Sequence, residues 1–162
     1  MALAKGDDAT RTASEDVAAA FVQAFADGWR APVDADSFAD HFESWLHPDV
    51  QLVQSSIPTV SGRAAFREQF ARPLFELVPD LHGTVERWCA HGDDVYIELR
   101  LAGRVGRQPV TLRSCDRVTL RDGRAIERVA HVDPTPLVRA VLRTPRVWPR
   151  VLRQRLRARG SR

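Results

Sequence analysis

Three ionisable residues stand out by position. In the stretch from Pro109 to Arg121, one alternating face reads Val110, Leu112, Ser114, Asp116, Val118, Leu120. The other reads Thr111, Arg113, Cys115, Arg117, Thr119, Arg121. The first face is the apolar, inward one by pattern, and Asp116 sits in its middle. A buried carboxylate without a partner is costly, so Asp116 must be paired, hydrogen-bonded or protonated. It is either an acid–base group working near neutrality or a structural group tied to an arginine or a backbone amide. Further on, Ala130-His131-Val132-Asp133-Pro134 projects His131 and Asp133 to the same side of a strand, roughly 7 Å apart. A histidine and an aspartate at that spacing can share a proton-transfer task, with Asp133 as the base and His131 assisting. The competing reading is that Asp133 caps a helix starting at Thr135 or pairs with an arginine beyond it.

Other chemistries find no support. His41, His47, His82 and His91 lack the spacing of a metal site, and no metal is expected. There is no glycine-rich phosphate loop, no Gly-x-Ser-x-Gly elbow and no Cys/His dyad. Hydride transfer, phosphoryl transfer and serine hydrolysis are therefore unsupported, and no cofactor is expected. Cys89 and Cys115 are too few for a disulfide framework and are expected as reduced core thiols of a cytoplasmic protein. No run of about 18 apolar residues exists to cross a membrane. Residues Met1 to Ser14 lack an apolar signal core and read as a disordered lead-in.

The elements that would position these groups follow from periodicity. Ser14-Glu15-Asp16 starts a helix whose apolar residues Val17, Ala20, Phe21, Ala24, Phe25 and Trp29 recur at helical spacing, and Pro32 ends it. A second helix runs from about Asp36 to Leu46 with Phe38, Phe42, Trp45 and Leu46 on one stripe, stopped by His47-Pro48-Asp49. A short strand at Val50–Gln54 and a loop with Pro58 and Gly62 follow. Ser61 is the expected cap of a third helix carrying Ala65, Phe66, Phe70, Leu74 and Leu77, with a kink expected at Pro73. From His82 the period becomes two, giving strands at about 82–91, 94–104, 108–120 and 124–133. Asp122-Gly123 supplies the positive φ of a two-residue hairpin, and such short turns make neighbouring strands antiparallel. Three helices followed by an antiparallel meander is an α+β pattern. A bent sheet wrapped around a helix leaves an apolar pocket between them.

Charge is unevenly placed. From Leu137 to the end there are nine arginines and no acid. The remaining 15 of the 24 basic groups and all 21 acidic groups lie in residues 1–136, a net charge of −6. Residues 15–136 are therefore expected as one acidic domain and 137–162 as a basic amphipathic tail. Its apolar residues, among them Leu137, Val138, Leu142, Trp148 and Leu152, recur at near-helical spacing between the arginines. They are expected to pack on the domain or on a dimer partner, with contact to nucleic acid or an anionic membrane as the less favoured alternative.

From Phe21 to about Leu142 the chain resembles the nuclear transport factor 2-like superfamily in its SnoaL-like branch. The matching pieces are Asp27-Gly28, His47-Pro48-Asp49-Val50, Ser61 to Phe66, Val78-Pro79-Asp80-Leu81, Gly92 to Val95, Asp116-Arg117-Val118, Asp122 to Ile126, and Asp133 with its following helix. The resemblance implies a cone-like (cystatin-like) fold of three helices on a strongly curved antiparallel sheet enclosing a pocket, and a homodimer. The expected lining is Phe21, Trp29, Phe42, Gln54, Leu112 and Val118. The resemblance implies that Asp133 matches the general-base position of the SnoaL-like cyclases and that Asp116 lies near the protonated acid of ketosteroid isomerase, a carboxyl kept neutral by its apolar surroundings. The isomerase base would fall near Gln54 and its tyrosine near Phe21, neither of which can act. The epoxide hydrolase acids and arginine would fall on Leu99, Leu101 and Ala130, all apolar. The expected function is binding of a small hydrophobic ligand, either as a cofactor-free cyclase or isomerase abstracting a proton α to a carbonyl, or as a non-catalytic binding or dimerisation module.

Overall fold

A computed structural model describes residues 4–55, 57–149, 151 and 152. Helix α1 (Ala4–Arg30) and α2 (Ala35–Glu43) precede strands β1 (Leu46–Gln54) and β2 (Ile57–Ser61). A third helix, α3, covers residues 63–77, and β3 (His82–His91), β4 (Asp94–Val105), β5 (Gln108–Arg121) and β6 (Arg124–Val132) follow. Helix α4 (Thr135–Leu142) and a single 3₁₀ turn (Pro145–Val147) come next, and residues 148, 149, 151 and 152, the last described, are helical. The helix placed at Ser14 begins at Ala4 instead, so most of the expected disordered lead-in is helical. Ser14 is not its cap: the hydroxyl donates to the Gly92 carbonyl at 3.0 Å. Pro32 does end α1 within two residues. α2 is closed by a reciprocal cap in which Ser37 N–H donates to the Asp34 carboxylate at 2.8 Å and Asp34 N–H to the Ser37 hydroxyl at 3.1 Å.

The six strands form one sheet in the order β2-β1-β6-β5-β4-β3. The expected meander β3 to β6 is antiparallel throughout, and Asp122 and Gly123 both hold positive φ, 51° and 72°, at its last turn. The sheet is not wholly antiparallel, because β1 lies parallel to β6. Helix-bearing connections separate these two strands in sequence, which is what a parallel neighbour requires. β1 also starts earlier than expected. Pro48 is tolerated there because the β1–β6 register is interrupted between Leu46 and Gln51. The loop expected around Pro58 is the edge strand β2, paired with β1.

Helix α3 starts on Gly62 (φ 86°) with no side-chain cap, and Ser61 closes β2 instead. Its centre, Phe66–Ala71, is π-helical. Pro73 has no N–H to donate and its ring crowds the carbonyl four residues back. The kink expected there is taken up as a widened turn just upstream.

The helices cover one face of the sheet. Phe21, Phe25 and Trp29 of α1, Phe38 and Phe42 of α2, and Phe66, Phe70 and Phe75 of α3 are buried against Val95, Ile97, Leu99, Leu112, Val118 and Leu120. Most of the rings meet edge to face or tilted, with Trp29 and Phe38 centroids 4.7 Å apart and Phe38 and Phe42 centroids 4.9 Å apart, while Phe66 stacks on Phe38 and Phe70, geometries that ring quadrupoles favour. Close approach of α1 to α2 depends on Gly28. A Cβ there would stand 2.6 Å from both the His41 and Phe42 rings. Gly28→Ala is expected to lose about 1–3 kcal/mol through overpacking, measured as a lower urea midpoint with an unchanged slope. Gly103 lies inside β4, where it lets Val78 and Leu81 approach the strand.

Candidate functional site

The apolar face expected on β5 is the inner one: Val110, Leu112, Ser114, Asp116, Val118 and Leu120 are all buried. Asp116 is fully buried and is held twice. The Ser114 hydroxyl donates to its Oδ1, and Arg128 donates to Oδ2 from Nε at 2.7 Å and from Nη2 at 2.5 Å. Arg128 is only 13% exposed. Its guanidinium lies over Phe70 at 5.5 Å and Phe25 at 5.9 Å from the ring centroids. A delocalised, weakly hydrated cation suits such a place better than an ammonium. Of the two readings open for Asp116, the structure shows the arginine-paired one.

A chamber adjoins this pair. Its walls are Phe21, Phe25 and Trp29 from α1, Phe38 and Phe42 from α2, Phe66 and Phe70 from α3, Leu46 and Leu52 from β1, and Val118, Ala125 and Arg128. Its free volume is about 20 Å³, room for about one water and no organic ligand. The side chains fill what would be an open pocket. Arg128 is its one charged wall residue. Phe21, Trp29, Phe42 and Val118 are among its walls. Leu112 is core elsewhere on the inner face and Gln54 is at the end of β1, and neither lines it.

His131 and Asp133 are not brought to Asp116. Register pairs Asp116 with Ala130 and Cys115 with His131, and directly opposed residues share a face. His131 therefore stands on the exposed outer face with Cys115, away from the chamber. Cys89 and Cys115 are exposed on this face, not core thiols. Asp133 is exposed beyond the end of β6, where the Thr135 N–H donates to its carboxylate at 2.9 Å. Hydrogen bonding from the Thr135 side chain and then its backbone holds the Asp133 carboxyl below its ordinary 3.8. The folded-state pKa is depressed, so the stabilisation is present above pH 3.8 and is lost as pH falls through the folded value. Asp133→Asn should thus lower stability near neutrality, and the gap from the parent should close under acid, as followed by thermal unfolding against pH. Equal gaps at pH 7 and below pH 3 would contradict this capping role.

Sequence reasoning missed Arg128, Phe25, Phe38, Phe66 and Phe70 as site residues. The signal was the need of Asp116 for a cationic partner, with Arg128 one of the arginines on the strands beside it. Among the described residues, no group of three or more His, Cys, Asp or Glu side chains is placed to hold a metal ion, and no helix is long and apolar enough to cross a membrane.

With this geometry in place, relatives can be compared. The family model of the SnoaL-like domain matches residues 18–128. Comparison by sequence with curated proteins gives no match. Among solved structures, a protein provisionally assigned as a SnoaL-like polyketide cyclase from Jannaschia sp. CCS1 is 26% identical with a TM-score of 0.67, over 78% of this chain and 92% of its own. TerC, co-crystallised with polyporic acid, is 20% identical with a TM-score of 0.66, over 77% and 98%. An epoxide hydrolase of the LEH-like kind from M. tuberculosis is 19% identical with a TM-score of 0.62, over 82% and 94%. The last two share the fold.

Proposed function

The chain belongs to the SnoaL-like domain family, and from that premise we propose that it binds a small, flat, hydrophobic molecule whose anionic or carbonyl oxygen is received by Arg128. The observation that carries this reading is a nearly buried arginine forming the one charged wall of an otherwise aromatic chamber. A guanidinium has five N–H donors, and Asp116 engages the Nε and Nη2 sides. Rings of Phe25 and Phe70 would hold the flat body while the guanidinium fixes the oxygen. The co-crystallisation of TerC with polyporic acid shows an organic acid with another protein of this fold, which supports the chemical class. Because the chamber is filled, binding requires ring movement. The π-helical turn carrying Phe66 and Phe70 is the least regular element around it and is the natural part to yield.

A second reading adds chemistry, and the 26% identity to a provisionally assigned polyketide cyclase favours it. A proton α to the carbonyl would pass to a solvent water, and the negative oxygen of the enolate left behind would be stabilised by the preorganised guanidinium. Asp116 is a poor base for that step because both its oxygens already accept hydrogen bonds. Its part is to hold Arg128 in place.

The test is a thermal-shift series of aromatic acids, phenols and their neutral isosteres. Acids are expected to raise Tm in the parent and not in a folded variant that lacks the charged pair. Equal shifts for acids and neutral isosteres would overturn the role of Arg128. Turnover of a ligand with an acidic α-carbon would select the second reading over plain binding.

A further inference from the structure

Eight large apolar side chains are exposed among the described residues, and four of them fall within the fifteen residues 138–152: Val138 at 50%, Leu142 at 62%, Trp148 at 44% and Leu152 at 61%. This segment is firmly seated on its other side. Ala140 and Val147 are buried, and the Thr144 hydroxyl bonds the carbonyls of Ala140 at 2.8 Å and Val105 at 3.3 Å. The Trp148 indole N–H donates to the Val141 carbonyl at 2.8 Å, which folds the chain back and sets the indole beside the end of α4. The exposed residues are thus presented by an ordered element. They recur as 138 and 142, then 148 and 152, each pair one helical turn apart.

Charge runs alongside. Arg139, Arg143 and Arg146 are exposed, each next to or within four residues of an exposed apolar side chain. Arg139 feels the Asp133 carboxylate across the start of α4, but no acid occurs after Asp133, so no neighbour within this stretch neutralises Arg143 and Arg146. A purely solvated surface has no use for exposed Leu, Val and Trp in one cluster. A surface for single-stranded nucleic acid would call for several aromatic platforms, and this one carries a single indole among aliphatic side chains; duplex phosphates would call for the arginines alone and leave the aliphatic cluster without a use. Aliphatic residues to enter the acyl boundary, an indole for the interface, and arginines for anionic headgroups are the combination that a lipid surface selects.

We propose that the surface formed by α4, residues 143–149 and Leu152 docks the protein on anionic lipid membranes, lying on the bilayer without crossing it. Val110, at the end of β5 nearest this surface, is eight residues from the chamber residue Val118, roughly 26 Å of strand. The docking face and the chamber are therefore separable by mutation.

The experiment is co-sedimentation of the full chain with phosphatidylcholine vesicles and with vesicles also containing phosphatidylglycerol, at low and high salt. Binding is expected to be at least about tenfold tighter on the anionic vesicles and to weaken with salt. Tryptophan emission should shift to the blue on binding, and the shift should be lost in Trp148→Phe. The double variant Leu142→Asp, Leu152→Asp alters only exposed side chains, so it should keep the parent's Tm while losing about tenfold or more in vesicle affinity. The triple variant Arg139→Gln, Arg143→Gln, Arg146→Gln should lose the salt-sensitive part. The proposal is overturned by no binding to anionic vesicles, by binding that both variants leave unchanged, by salt-sensitive binding to RNA alone, or by self-association through this face without vesicle binding.

Discussion

Arg128→Met is expected to cost about 3–5 kcal/mol of folding free energy, because it leaves the fully buried Asp116 carboxylate without its cation. Two effects contribute and they differ in size. The cation–π contacts with Phe25 and Phe70 are worth about 0.5–2 kcal/mol. The orphaned carboxylate accounts for most of the rest, since the Ser114 hydroxyl alone cannot solvate a full charge. A buried pair is not in itself a strong source of stability. The triple variant Arg128→Met, Asp116→Leu, Ser114→Ala should therefore recover most of the loss, within about 1–2 kcal/mol of the parent in urea unfolding. If the single variant were as stable as the parent, the Asp116–Arg128 pair would be incidental. The triple variant is also the folded control for ligand binding. It keeps an apolar chamber and removes the guanidinium, so an acid that stabilises the parent should lose its advantage over the neutral isostere.

The inward face of β5 was legible because six residues alternate without interruption. β6 was not, and the reason is one residue. At the Asp122-Gly123 turn, Arg121 pairs with Arg124 and Leu120 with Ala125. Continued without a break, that register would set Asp116 opposite Val129 and place His131 and Asp133 on the face of Asp116. The register shifts between Thr119 and Leu120, so that Thr119 pairs with Glu127 and Ile126 is the extra residue of a bulge. A shift of one flips every later side chain. Arg128, Ala130 and Val132 turn inward, and His131 turns out. The sequence of β6 carries no warning, because apolar residues occur at 125, 126, 129, 130 and 132 and fit either register. The same flip that removes a histidine from the chamber delivers the arginine that Asp116 required.

The first two helices were legible for the opposite reason: their aromatic residues repeat at helical spacing and turn inward, whereas in α3 the π-helical turn shifts the register, burying Phe75 and leaving the expected Leu74 and Leu77 half-buried. What spacing could not tell is how full the space between them would be. Eight aromatic rings from three helices converge on the inner face, and packing at interior density leaves only about 20 Å³. A pattern reports which side is apolar. It does not report whether that side closes on itself.

Phe70→Ala is the substitution that makes this question experimental. Phe70 is buried, stacks on Phe66 with centroids 5.4 Å apart, and lies beneath the Arg128 guanidinium. Truncation should cost about 3–5 kcal/mol, from lost transfer free energy and from the cavity left behind. That cavity would join the existing chamber directly at Arg128. An apolar void lined by rings stays ready for an apolar guest, and here one wall carries a fixed positive charge. Benzoate should therefore stabilise Phe70→Ala, by about 2.7 kcal/mol at a concentration one hundred times its Kd. Benzyl alcohol, of similar shape and no charge, should stabilise it less. The parent should respond to both more weakly, since ring displacement opposes entry. If benzoate and benzyl alcohol act alike on Phe70→Ala, Arg128 is not an oxygen-binding group, and the chamber is aromatic core whose charged pair is purely structural. If benzoate is clearly preferred, Phe70 is the residue whose position decides when the chamber is closed and when it is a site.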